Sequence, residues 1–149
     1  MANSCGNEVS VIGTEAEVRT FADEMNASDI PWNDSLDKDG VTPEDGVFRA
    51  RFVFESKWKG PYDLTAEASA RHPGVVVTHA AVELGQAYAE IRVYKAGEAV
   101  VEYEMQSEEI DELAGPDGGD EEPILDSLFA TAHSYAVDAL EAGASPKAG

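Results

Sequence analysis

Three histidines and one cysteine are the side chains whose types could carry catalysis or bind a transition metal: His72, His79, His133 and Cys5. No two histidines lie three or four residues apart, the spacing that puts two ligands on one helix face. His72 falls at a helix end before Pro73, His79 in mid-strand and His133 on the last helix. No second cysteine exists to complete a thiolate site, and Cys5 reads as a small inward residue of a strand. There is no glycine-rich phosphate loop and no nucleophile elbow. Asp37-Lys38-Asp39-Gly40 matches the middle of a calcium loop. Counting from Ser35, however, puts Gly46 where a bidentate glutamate is required. The expectation is no catalytic residue, no cofactor and no metal.

Carboxylates are the chemistry that remains. Thirty Asp and Glu against ten Lys and Arg give a formal net charge of −20 on 149 residues. Such a field repels nucleic-acid phosphates and anionic membranes, and attracts basic surfaces. Glu102 and Glu104 share one face of a strand, roughly 6.8 Å apart at about 3.4 Å per residue. That is twice the ~3.4 Å charge spacing along one strand of duplex DNA. Glu98, Glu108, Glu109, Asp111, Glu112, Asp120, Glu121 and Glu122 extend the row, and the loop over 29–45 adds further acids. The expected partner is a basic nucleic-acid-binding protein, bound through an acidic surface that imitates a phosphate backbone. A saline cytoplasm is the rival expectation. Five lysines, abundant Ala and Val and acids spread along the chain suit high salt, which screens the repulsion.

A fold must position these residues, and 149 residues with 43% apolar content suffice for one domain. No apolar run approaches the ~20 residues that cross a bilayer. MANSCGNEV carries no basic n-region or apolar h-region, and Cys5 is the single cysteine, so a reducing, cytoplasmic compartment is expected. Residues 3–13 read as a strand with Cys5, Asn7, Val9 and Val11 inward. Thr14-x-x-Glu17 then fits a capping box, and Val18, Phe21, Ala22 and Met25 form a helical stripe. An acidic loop over 27–45 holds Trp32 against the core edge. The stretch 46–74 follows, with Phe48, Ala50, Phe52 and Phe54 inward. Its corner is Trp58, Gly60, Pro61 and Tyr62, and its short helix stops at His72-Pro73-Gly74.

Strands over 74–84, 86–95 and 98–106 make a meander with turns at Gly85-Gln86 and Ala96-Gly97. Ala87, Ala89, Ile91 and Val93, then Ala99, Val101, Tyr103 and Met105, read as inward. The outward face would carry Arg49, Arg51, His79, Glu83, Tyr88, Glu90, Arg92 and Tyr94, an arrangement on which RNA bases could stack. The −20 charge and the missing glycine-aromatic signature argue against that use. Residues 1–106 read as the domain, 107–122 as an acidic linker or arm, and 123–149 as a helix opened by Pro123 with a frayed tail. Its Leu125, Leu128 and Phe129 would cover the sheet or pair with a second copy as a homodimer. The predicted class is α+β: a ferredoxin-like two-layer sandwich, a mainly antiparallel sheet with helices on one face, plus the C-terminal helix.

Asn3-x-Cys5-x-Asn7-x-Val9-x-Val11-x-Gly13 before a capped helix resembles the start of the YubB-like family of plasmid and phage proteins. Glu55-Ser56-Lys57-Trp58-Lys59-Gly60-Pro61 resembles that family's strand-end corner, and His72-Pro73 its proline before the next strand. The resemblance spans about residues 3–105. Ser4 stands where the family often has tryptophan, and 107–149 have no counterpart. It implies a ferredoxin-like domain of mobile-element origin and supplies no catalytic residues. Joined to the acidic rows, it gives the expectation of a non-enzymatic anti-defence inhibitor that occupies the nucleic-acid groove of a host protein.

Overall fold

The computed structural model describes residues 4–27, 42–44, 47–57, 62–84, 88–114 and 122–144. Strand β1 (Ser4–Gly13) leads into helix α1 (Glu15–Ala27), then β2 (Thr42–Glu44) and the long β3 (Val47–Lys57). Helix α2 (Tyr62–Arg71) precedes the meander β4 (Val76–Glu83), β5 (Tyr88–Lys95) and β6 (Glu98–Glu104). Two helices end the chain, α3 (Ser107–Ala114) and α4 (Glu122–Ala144). The strands form one sheet in the order β2-β3-β1-β4-β5-β6, with every neighbouring pair antiparallel. The predicted α+β ferredoxin-like sandwich is the observed class, with α1 and α2 on one face. The C-terminal helix adds a layer on the other.

Register decides what each face carries. Val9 lies beside Phe52 and His79, His79 beside Arg92, and Arg92 beside Glu102. This row looks toward α1 and α2, where Val18, Phe21, Met25 and Ala68 close over Val9, Val11, Phe52 and Phe54. The opposite row runs from Arg51 through Ser10, Thr78 and Val93 to Val101. There Ile124, Leu128, Ala132 and Ile110 cover Val76, Ala80, Val82, Ala89, Ile91 and Val93.

Several expectations change as a result. Ala89, Ile91 and Val93 are buried, but on the face opposite Val9 and Phe52 rather than in one inward layer with them. Val101, Tyr103 and Met105 also belong to the α4 side, and Ala99 is exposed. Among the described residues, the row read as one outward face is split between the two faces of the sheet. Arg49 and Arg51 point to the α4 side, whereas His79, Glu83, Glu90 and Tyr94 are buried on the α2 side. Residues 107–114, read as linker, form α3 with Ile110 fully buried. Leu128 is fully buried within the chain, and Leu125 and Phe129 are half-buried against the same cluster. Trp32, Trp58, Gly60, Pro61 and the Gly85-Gln86 turn lie outside the described residues, as do Asp37 to Gly40.

Local signals explain the helix starts. The Glu17 amide donates to the Thr14 hydroxyl at 3.3 Å, the first half of the predicted capping box. The second half differs: the Thr14 hydroxyl donates to Glu17 Oε1 at 2.9 Å. The β5–β6 turn is held in the left-handed region, with φ of 53° at Ala96 and 86° at Gly97. The Gly97 amide donates to Ser69 Oγ at 3.0 Å, which ties the turn to α2.

That geometry predicts opposite effects at neighbouring positions. A left-handed alanine costs about 1–2 kcal/mol, of which glycine's extra chain entropy returns about 0.5–1 kcal/mol. Ala96→Gly is therefore expected to raise the urea midpoint slightly. A Cβ on Gly97 would sit 2.9 Å from the Ala70 Cβ, so Gly97→Ala is expected to cost about 2 kcal/mol or more. Equal shifts of one sign would contradict this account of the turn.

Candidate functional site: an acidic edge and a closed polar network

β6 is an edge strand, so its unpaired backbone groups would template another strand if its side chains were apolar. Glu98, Glu102 and Glu104 are all exposed on it. A register shift at Val93/Tyr94 puts a bulge opposite Val100, whose side chain is 50% exposed. Beyond Met105 the chain turns directly into α3. Ile110 anchors this helix, and its other side exposes Glu108, Asp111 and Glu112. Glu109 is half-buried and accepts the Tyr103 hydroxyl at 3.2 Å, which joins strand to helix. Burial and that carboxylate push the Tyr103 phenol above its ordinary value.

The structure thus brings seven of the ten predicted acids onto one strand–helix edge: Glu98, Glu102, Glu104, Glu108, Glu109, Asp111 and Glu112. Glu122 is exposed at the start of α4, a separate element. Asp120 and Glu121 lie outside the described residues. The sequence has no Lys or Arg from Ala96 to Pro146. Elsewhere, cations are engaged by neighbouring acids. Arg19 meets Glu15 at 2.9 Å, Arg51 meets Glu8 at 2.5 Å, and Arg71 meets Glu24 at 2.7 Å. These three arginines are paired with acids on their own or neighbouring elements.

Beneath α2 lies a second polar cluster that the sequence places on an outward face. His79 is 0% exposed. Its Nε2 donates to Asn7 Oδ1 at 2.8 Å, and its Nδ1 accepts the Thr65 hydroxyl at 2.6 Å, which is the neutral tautomer. The Tyr62 ring lies 4.6 Å away and Phe54 5.9 Å, centroid to centroid. Burial, with the Arg92 charge adding to it, pushes His79 down to about 3. Arg92 in turn stacks 4.2 Å over the Tyr62 ring and donates to Glu90 Oε2 at 2.7 Å. Tyr88 donates to Glu90 Oε1 at 2.8 Å, and the Tyr62 hydroxyl to the Glu90 carbonyl at 3.3 Å. Desolvation first, then Tyr88, holds the Tyr62 phenol far above its usual range.

This network satisfies polar groups at depth and offers His79 no access to a substrate. Its chemistry is structural. His72 accepts a similar role at the surface, 2.8 Å from Glu24 and edge-on to Phe21. His133 is exposed on α4. Among the described residues no three His, Cys, Asp or Glu side chains converge to hold a metal ion. No helix among them is long and apolar enough to cross a membrane.

No protein-family model, curated protein or solved structure matches the chain. The resemblance to YubB-like proteins rests on the residues quoted for it.

Proposed function

We propose that the chain is a non-enzymatic binding protein that presents its β6–α3 edge to a basic, nucleic-acid-binding surface of a partner protein. It would occupy that surface in place of nucleic acid. The observation that carries this reading is the exposure of Glu98, Glu102, Glu104, Glu108, Asp111 and Glu112 on the edge strand and the helix that follows it. Complementary charge of this kind speeds encounter and selects partners, with little need for apolar contact. The mobile-element resemblance makes a host defence protein the natural target, and inhibition the natural outcome.

Capture from lysate at low salt, with duplex DNA as competitor, tests it. Basic nucleic-acid-binding proteins are expected to be captured and then released by the DNA. Reversing the edge with Glu102→Lys, Glu104→Lys, Glu108→Lys and Asp111→Lys is expected to weaken capture roughly a hundredfold. Reversing exposed acids elsewhere, Glu67→Lys on α2 and Asp138→Lys on α4, is expected to leave it nearly intact. Equal loss from both sets would remove the edge as the binding surface.

One observation favours salt adaptation as a second reading. Exposed acids also occur away from the edge, among them Asp23 on α1, Glu67 on α2 and Asp138 on α4. On that reading the fold needs screening and is lost as salt falls below about molar levels. A chain that stays folded near 0.1 M salt, where screening reaches only about 10 Å, belongs to the first reading.

A further inference from the structure

We propose that β6 takes an extended segment of a partner protein, which joins the sheet as a further strand. That segment alternates basic with apolar side chains. The proposal rests on the acidic-edge reading and names the part of the partner that the edge holds. The backbone carries it. The Met105 amide donates to the Ala89 carbonyl at 2.8 Å, so the backbone groups of Met105 aim at β5. In an antiparallel ladder that direction alternates along the strand. Tyr103 and Val101, opposite Ile91 and Val93, therefore aim at β5 as well. The amides and carbonyls of Glu102 and Glu104 aim the other way, out of the sheet. β6 is last in the strand order, and no described strand pairs with its outer side.

The two edges of the sheet are unlike. β2 is three residues long with Pro43 at its centre, a length and a residue that keep an edge unpaired. β6 has seven residues and no proline. Its bulge at Val100 and the turn into α3 leave a regular stretch from Val101 to Glu104.

Side chains set the occupant. Glu102 and Glu104 are exposed on the α2 side of the strand, opposite Arg92 and Glu90. Val101 and Tyr103 are half-buried on the α4 side. Residues two apart on any strand lie roughly 6.8 Å apart, so basic residues at every second position each meet one carboxylate. The apolar residues between them rest beside Val101 and Tyr103. A second copy of the chain is refused, because antiparallel pairing of this stretch with itself sets glutamate opposite glutamate. In strand addition of this kind the main chain supplies affinity, and the alternating side chains choose the partner.

A blocked peptide of alternating lysine and valine is the probe, titrated at low salt into the full chain and followed by amide NMR. Saturable binding is expected, docked antiparallel, with a dissociation constant on the order of 0.1 mM. The Glu102 and Glu104 amides should gain protection from hydrogen exchange. Methylating the backbone amides of the peptide's lysines keeps every charge and removes the donors to the Glu102 and Glu104 carbonyls. Binding at least tenfold weaker is expected, and the same from Glu102→Gln combined with Glu104→Gln. Equal affinity for the methylated peptide, or no protection gained at the two amides, would overturn strand addition. The acidic-edge reading would survive that result if charge reversal of the edge still abolished capture of basic proteins. A doubled mass in light scattering, with both amides already protected, would assign the edge to a second copy and overturn the proposal.

Discussion

Acidifying the protein from pH 7 to pH 4 should erase and then reverse the stability advantage that the wild type holds over a His79→Gln variant. His79 sits at 0% exposure with its neutral ring bonded to Asn7 and Thr65. Tyr62 from α2 and Phe54 from β3 pack against it, and Arg92 from β5 is the nearby cation. Its folded pKa is pushed down to about 3, against about 6.5 unfolded. Between those values the unfolded chain binds a proton that the folded chain does not, so stability falls as pH falls. The contribution is fully present above about 6.5 and is lost on the way down to about 3. At pH 4 the loss is about 3 kcal/mol, from some 2.5 pH units at about 1.4 kcal/mol each.

A −20 chain also gains stability on acidification, because protonated carboxylates no longer repel. That gain is common to wild type and variant, and it cancels in their difference. His79→Gln keeps an amide to meet Asn7 while losing the ring contacts, a cost of about 2 kcal/mol at pH 7. Urea midpoints at pH 7, 6, 5 and 4 should therefore converge and then cross. Parallel curves would mean that His79 is not the buried base the geometry makes it.

The same residue shows why one level of the fold was legible in the sequence and another was not. Strand and helix positions follow from periods of 2 and 3.6, and β1, α1, β3, α2, β5 and β6 fall where alternation and capping put them. The layer to which each strand face belongs depends on register, which no single strand reveals. β4 is buried at all eight positions, so its alternation carries no information about which side faces which helix. With α4 on the second face, both rows of the sheet become core. Polar residues such as His79 and Glu90 then look outward by alternation while lying under α2.

α3 was legible and was masked by composition. Eight acids and no base between Ser107 and Pro123 read as a solvated arm. Within them, Ile110 and Leu113 keep helical spacing, and Glu108 and Glu109 sit in the first turn, where a helix dipole favours them. One fully buried isoleucine holds residues 107–114 as a helix that follows β6 directly. The acids of 108–112 accordingly sit on an ordered helix.

α4 carries the prediction with the largest mutational effect. Ile124, Leu128, Ala132 and Ala136 recur every four residues, and all four are buried against β4 and β5. The row tapers from large to small, so its first half supplies most of the apolar burial. Truncating a fully buried leucine removes its transfer free energy and leaves a cavity, together about 2–5 kcal/mol. Leu128→Ala is therefore expected to cost about 3 kcal/mol. Tyr135→Ala, at a position 54% exposed on the same helix, is expected to cost less than about 0.5 kcal/mol. Because the stripe is used within one chain, the Leu128→Ala loss should not depend on protein concentration, and light scattering should report the same mass for both variants. A loss that grows on dilution would place the helix on a second copy instead. The acidic edge would then need its neighbouring core from another chain, since α3 packs on α4.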